Sequence, residues 1–321
     1  MNIKELEQEC QKKPLIALYD NILSSENENE RYAKVQLICY YIAVNGGIPV
    51  LVPRDADVTQ IALNIDGYAL PGGGDIDPKV YGKEKHPKTI IEEDNEKERF
   101  ALENCFVRNA VKTGKPLLAF CRGMQVVNVI LGKIWQEEHS EEKLGERGTL
   151  IQHLPDIFPD DDVHTLAGKS DMKAEDVVIW QEKLNRGEKC GSHPVPSSHD
   201  IRIIKGSKLA KIIGLEQVGC YSSHHQAVGS DTIAPQLTPC AYSVKKDGTL
   251  NMGFVEAAEY KNILIIQSHS ESGLGNIANA LFKNLVEKAL EYQNTNKPKK
   301  NLDIVLPYCD AAAKVVTKIC L

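Results

Sequence analysis

Cys121 stands where an unbroken apolar run, "PLLAF", gives way at once to residues with helical spacing, "RGMQVVNVILG". A cysteine on such a strand-to-helix turn is presented at an apex, and the helix N-terminus behind it favours the thiolate. The turn brings strand and helix close, so it needs small neighbours; Ala119 and Gly123 lie two before and two after the thiol. A thiolate nucleophile also needs a base, a group that orients the base, and donors for an oxyanion. "QSHSES" offers the first two, since His269 and Glu271 are two apart after an apolar strand and face one way if strand geometry continues. "LPGGGD" offers a donor, because glycines let the backbone approach a reacting carbonyl and turn an N–H toward it. This loop lacks the Lys-Ser/Thr of a phosphate-binding loop and the spacing of a dinucleotide fingerprint. Taken singly, the cysteine and the His-x-Glu segment each have a plainer reading: a packed thiol and a polar turn. The order of all three segments along the chain, with the backbone N–H of Arg122 as second donor, describes acyl transfer through a cysteine.

Such segments need a scaffold to gather them. Residues 14–19 read as a strand, 30–45 as a helix stopped at Gly46 in a left-handed cap, and 48–52 as a short apolar strand. "IDGYAL" is a third strand leading into the glycine loop. "EEDNEKERFALENCFVRNAVKTGKP" is a helix whose acidic start reads as solvated, closed by Gly114 and Pro116. "PLLAF" is continuous rather than alternating, as expected for a strand buried on both faces of a parallel sheet. The alternation predicts an α/β fold with a doubly wound, mostly parallel sheet and helices on both faces. In such sheets active residues gather at the carboxyl ends of the strands. From about 136 to 198 the pattern breaks into an irregular insertion, with 174–186 as a candidate helix. "HDIRII" resumes strand character, and "CYSSHHQAV" is a strand end running into a polar loop. "PCAYSV" and "MGFVEAA" read as a hairpin around Asp247-Gly248, "KNILIIQ" as the last core strand, and about 275–292 as a closing helix. One domain over 1–293 is expected, then a tail over 294–321 with a polar linker and a short amphipathic segment near 309–321.

The length of 321 residues allows one large α/β domain, and 42% hydrophobic against 26% charged residues suits a sizeable core. A net charge of −6 without a basic stripe argues against nucleic acid, because neutralising phosphates requires clustered Lys and Arg. The apolar runs are too short to cross a bilayer, and "MNIKELEQEC" is not a basic leader before an apolar core, so a cytoplasmic location is expected. The nine cysteines, odd in number and irregular in spacing, read as reduced thiols; Cys39 and Cys105 lie on helical faces as core fillers. Cys190, His193 and His199 lack a convincing fourth partner for zinc and read as a plain loop; acyl transfer through a cysteine requires no metal or organic cofactor, and none is expected.

The ordered set "LPGGGDIDP", "CRGMQVVNVILG", "IQHLPD", "HDIRIIKGSKLAKIIG", "SSHHQAV", "KKDGTL" and "HSE" resembles the class I glutamine amidotransferase-like superfamily. Within it the chain is most similar to the γ-glutamyl hydrolase peptidase branch, especially the γ-glutamyl-γ-aminobutyrate hydrolases. The resemblance runs from about Pro14 to Tyr292, apart from the insertion. It implies Cys121 as nucleophile, His269 as general base and then acid, and Glu271 as orienter. Gly73 and the N–H of Arg122 would form the oxyanion hole; Gln125 would hold the amino-acid end of a glutamyl group. Ser223, His224 and His225 would line the same pocket. Two positions depart from the family pattern: Ala119 stands for the usual glycine before the nucleophile, and Ser270 for the usual proline between the catalytic His and Glu. Losing the proline ring frees a backbone dihedral without removing a reacting group.

The implied activity is hydrolysis of the γ-glutamyl amide bond of a small metabolite, resembling γ-glutamyl-γ-aminobutyrate, through a γ-glutamyl thioester. The expected partner is that small γ-glutamyl substrate, with no nucleic acid and no membrane; a homo-oligomer is compatible with the sequence. Three other readings stand beside it. One is the glutaminase subunit of an amidotransferase. Another is a non-catalytic binding module of the same fold, which has only Ser270 in its favour. The third is hydrolysis of folate polyglutamates, whose enzymes are typically exported.

Overall fold

The computed structural model describes residues 3–19, 28–91, 96–143, 145–159, 198–222, 224–245, 247–273, 275–296 and 299–320. Its strands, in chain order, are β1 (Leu15–Tyr19), β2 (Ile48–Val52), β3 (Gly67–Leu70), β4 (Leu117–Phe120), β5 (Ser198–Ile203), β6 (Gln217–Tyr221), β7 (Thr238–Val244), β8 (Leu250–Asn251), β9 (Ala257–Tyr260) and β10 (Ile263–Ile266). They form one mixed sheet in the order β2-β1-β3-β4-β10-β9-β7-β5-β6, with β8 paired to β7. From β2 to β10 every neighbouring pair is parallel; from β10 outward to β6 every pair is antiparallel. The fold is α/β, and its parallel half is the one predicted from the continuous apolar runs.

Alternation along these strands sorts the core into two layers. Leu15, Ala17, Tyr68, Leu70, Leu117 and Ala119 pack on one face against α1 (Ile3–Lys12), α4 (Glu96–Thr113) and α5 (Arg122–Glu138). Ile16, Leu18, Ala69, Leu118 and Phe120 turn to the other face, against α2 (Glu28–Val44), α7 (Lys208–Ile213) and α9 (Gly275–Asn296). Each fully buried large apolar side chain contributes about 1.5–3 kcal/mol, which is why strands apolar on both sides belong in the middle of a three-layer stack. Gly46 takes φ +90° after α2, the left-handed stop read from the sequence.

The structure adds elements and redraws two. Besides α1, the short helices α3 (Val58–Leu63), α6 (Leu154–Ile157), α7 and α8 (Ser270–Gly273) had no sequence counterpart. The expected second strand of the hairpin at Asp247-Gly248 divides: β8 pairs with one side of β7, while β9 pairs with β7 and β10. The amphipathic segment expected near 309–321 is part of a longer helix, α10 (Leu302–Cys320), which packs on β2, α2 and α1. Val305 and Cys309 join the core on one face of the sheet, Ala312 and Val315 the core on the other, so α10 crosses the edge at β2. An edge strand covered in this way is closed to further pairing. The candidate helix at 174–186 lies outside the described residues.

Candidate active site

The carboxyl ends of β3, β4 and β10 lie side by side, and each delivers one predicted segment. Cys121 follows β4 directly and caps α5 with φ 49° and ψ −111°. Left-handed backbone is costly for a residue with a side chain and persists only where the surroundings impose it. Here the N–H of Cys121 donates to Ile266 O at 2.8 Å, and Gly123 lets α5 close on β3, since a Cβ there would meet Leu70 O at 2.6 Å. Ala119, fully buried, stands opposite Leu70 and Ile265 in the neighbouring strands.

His269 follows β10, with its N–H donating to Tyr221 O at 2.8 Å. Its Nδ1 lies 2.7 Å from Glu271 Oε1, with the His269 side chain 3% and that of Glu271 0% exposed. A carboxylate only accepts, so Nδ1 carries the ring proton and Nε2 is left with its lone pair. A Cβ on Gly72 would stand 2.6 Å from His269 Cε1 and 3.5 Å from Cys121 Cβ. Imidazole, thiol-bearing residue and glycine loop therefore enclose one small space. Gly73, the donor that the resemblance implies, turns its α-carbon the other way: a Cβ there would meet Arg99 Nη1 at 2.1 Å.

Behind the loop lies a buried charge network that sequence reasoning missed. Arg99 donates through Nε to Glu103 at 2.8 Å, and through Nη2 to Pro71 O at 3.2 Å and Gly72 O at 3.0 Å. Arg122 donates to Gly74 O at 2.9 Å, and forms ion pairs with Glu96 at 2.9 Å and Glu103 at 3.0 Å. Burial pushes the Glu103 carboxyl up, yet Arg122 and Arg99 outweigh it and hold the group below the usual carboxylate range. Two cations and two anions balance, as buried charges must. Of the acidic run read as solvated, residues 92–95 lie outside the described residues, Lys97 and Glu98 are exposed as expected, and Glu96 alone is corrected: it turns inward. Positions 96, 99, 103, 106 and 110 follow helical spacing onto one face, and Phe106 and Ala110 mark that face as buried, so the pattern was present in the sequence.

The expected substrate contacts divide. Gln125 is buried one turn into α5, its Nε2 donating to Gln226 O at 2.9 Å. His224 is buried with Nδ1 2.9 Å from the same carbonyl. His225 turns outward instead, its Nε2 2.8 Å from Asp75 Oδ2 and its Nδ1 3.1 Å from His153 Nδ1. His86 stacks on His153 and pairs with Asp156 at 2.8 Å. Asp75, His86 and His153 thus form a polar cluster beside the glycine loop that was not foreseen. Ser223, Cys190 and His193 lie outside the described residues; His199, read as a strand start, is the second residue of β5 and pairs with Glu256 at 3.1 Å. Cys39 is buried as expected, whereas Cys105 is partly exposed. Among the described residues no group of three or more His, Cys, Asp or Glu is arranged to hold a metal, and no helix is long and apolar enough to cross a membrane.

The profile of the peptidase C26 family matches residues 14–271, which span all three segments of the site. The chain belongs to the peptidase C26 family. Membership makes it a hydrolase of the glutamine amidotransferase type. A glutamine amidotransferase-like protein of Rickettsia prowazekii is 32% identical over 271 residues, covering 78% of this chain and 86% of its own length. A Mycobacterium tuberculosis protein that carries the provisional description of glutamine amidotransferase is 32% identical over 259 residues, 78% of this chain and 66% of that protein. The γ-glutamyl-γ-aminobutyrate hydrolase of Escherichia coli O157:H7 is 28% identical over 116 residues, 35% of this chain and 42% of the enzyme. Among solved structures, the glutaminase domain of Trypanosoma brucei CTPS superposes with a TM-score of 0.49 at 15% identity, over 87% of this chain and 94% of that one.

Proposed function

We propose that the protein is a cysteine hydrolase that cleaves the γ-glutamyl amide bond of a small metabolite. Cys121, stripped of its proton by His269 Nε2, attacks the δ-carbonyl, and the negative oxygen that forms rests on the N–H groups of Gly73 and Arg122. His269 returns the proton to the nitrogen of the leaving amine, the C–N bond breaks, and a γ-glutamyl thioester remains. Water, deprotonated by His269, attacks that thioester, and the thiolate leaves as glutamate is released. Glu271 keeps the imidazole in the tautomer that presents Nε2 and balances its charge when it is protonated. The observation that carries this reading is Gly72, with His269 and Cys121 pressing on the same point and Glu271 behind the imidazole.

The partial likeness to the Escherichia coli enzyme supports a leaving group of the γ-aminobutyrate kind. Two relatives described as glutamine amidotransferase-like or provisionally as glutamine amidotransferase favour a second reading, in which the protein is a glutaminase that passes ammonia to a synthetase. Glutamate release from a panel of γ-glutamyl amines and glutamine, beside a Cys121→Ala control, separates them. Release from γ-glutamyl amines but not glutamine supports the first reading. Turnover of glutamine alone supports the second, and release that persists in the control removes both.

A further inference from the structure

The peptide that joins Gly72 to Gly73 is gripped from one side only. Its carbonyl oxygen, on Gly72, accepts from Arg99 Nη2 at 3.0 Å, and the preceding carbonyl, on Pro71, accepts from the same nitrogen at 3.2 Å. A peptide is planar and trans, so its C=O and N–H point in opposite directions. With the Gly72 oxygen drawn onto Arg99, the N–H of Gly73 projects away from the guanidinium, and it has no acceptor among the described residues. The loop is a thin layer here: Arg99 lies against one side at Gly73, while His269 and Cys121 lie against the other at Gly72.

Arg99 is itself fixed in place. It is buried, its guanidinium lies 5.2 Å over the Tyr19 ring, and its Nε is held by Glu103. Glu103 accepts with its other oxygen from Arg122, the residue directly after the nucleophile, and Arg122 in turn holds Gly74 O. One carboxylate therefore links the grip on the glycine loop to the start of the helix that carries the other candidate donor.

We propose that Arg99 is a positioning residue that keeps the Gly73 N–H turned toward the reacting carbonyl, and that Glu103 couples this orientation to Arg122 and the nucleophile. The proposal rests on the thioester reading above. Rotating that peptide by half a turn would put a carbonyl oxygen where the oxyanion forms, replacing attraction with repulsion at the step of highest charge.

The test uses γ-glutamyl-p-nitroanilide with the wild type, Arg99→Lys, and the charge-balanced double variant Arg99→Met/Glu103→Leu, which spares the fold a buried unpaired charge. Alkylation of Cys121 by iodoacetamide, followed by mass spectrometry, runs in parallel; it needs the thiolate but builds no oxyanion. The double variant is expected to lose about 10²–10³ in kcat, the usual cost of one oxyanion donor, with KM and alkylation rate nearly unchanged and Arg99→Lys intermediate. Unchanged kcat overturns the proposal, as does a parallel fall in kcat and alkylation, which would make Arg99 a support for the whole site. If the wild type releases no p-nitroaniline, the hydrolase reading fails on its own. Crystal structures of wild type and double variant then decide: a rotated 72–73 peptide in the variant upholds the inference, and an unrotated one overturns it.

Discussion

The imidazole of His269 and the carboxylate of Glu271 meet at 2.7 Å across the end of a strand, not along one. β10 stops at Ile266 and α8 begins at Ser270, so the histidine hangs from the strand exit and the glutamate from the first turn of a helix. The sequence reading relied on continued strand geometry to bring the two together; a change of direction does so instead. Glu271→Gln keeps the shape but lets an amide compete for the tautomer. The expected result is a fall of about 10²–10⁴ in kcat with a normal melting temperature, measured on the γ-glutamyl amide that the wild type turns over.

Gly72 has no room for a methyl group, because a Cβ would stand 2.6 Å from His269 Cε1. Gly72→Ala should push the ring off its position, costing about 1–3 kcal/mol in stability and most of the turnover. Steady-state kinetics together with urea unfolding check this, and full activity in the Gly72→Ala variant would mean the imidazole has freedom that its packing denies.

Ser270 opens α8, and its hydroxyl lies 3.1 Å from that of Ser268 in a buried contact. The first helical position tolerates proline, whose fixed φ suits it. Ser270→Pro is therefore expected to keep turnover within a few-fold although it loses the hydroxyl contact, whereas Ser268→Ala loses the same contact, worth about 1 kcal/mol, with no ring to replace it. Comparing kcat and melting of both variants tests whether two hydroxyls do the work a ring does in relatives of this pattern.

His153 and His225 face each other through Nδ1 atoms 3.1 Å apart, a contact that accommodates one proton and not two. Burial lowers the basicity of His153; Asp156 opposes this, and the neighbouring His225, His86 and Lys88 add to it. The folded protein thus holds this proton less tightly than the unfolded chain, which begins to bind it near pH 6.5, so stability falls as the pH drops below about 6.5. Melting temperatures of the wild type and His153→Asn should converge as the pH is lowered from about 8 to 5.5. A constant separation would assign the acid sensitivity elsewhere.

Lys300, from the basic tail stretch "KPKK", lies 2.5 Å from Asp66; the carboxylate is fully buried and the lysine partly so. Burial raises the Asp66 carboxyl pKa, and Lys300 is the largest force opposing that rise. Lys300→Met should cost about 3 kcal/mol or more in urea unfolding, with Asp66→Asn in the same chain restoring part of it.

What the sequence made legible was everything with a local signature. Continuous apolar runs marked strands buried on both faces, and the switch at Cys121 from strand to helical spacing marked the turn that presents it. Glu96 was misjudged because a charged residue at a helix start is ordinarily solvated; only its helical spacing with Arg99 and Glu103 along an apolar face tells otherwise. The cluster of His86, His153 and His225 could not be seen, since it joins three loops whose only relation is where the sheet sets them down. The role of 302–320 was hidden for the same reason: its apolar residues match the two core layers only once the sheet edge at β2 exists.

That last helix sets an order on biosynthesis. β2 leaves the ribosome well before the helix that shields its flank, which is made of residues 302–320. Until residues 302–320 are made, the nascent chain carries a bare apolar margin at β2, the kind of surface on which chaperones act and from which aggregates grow.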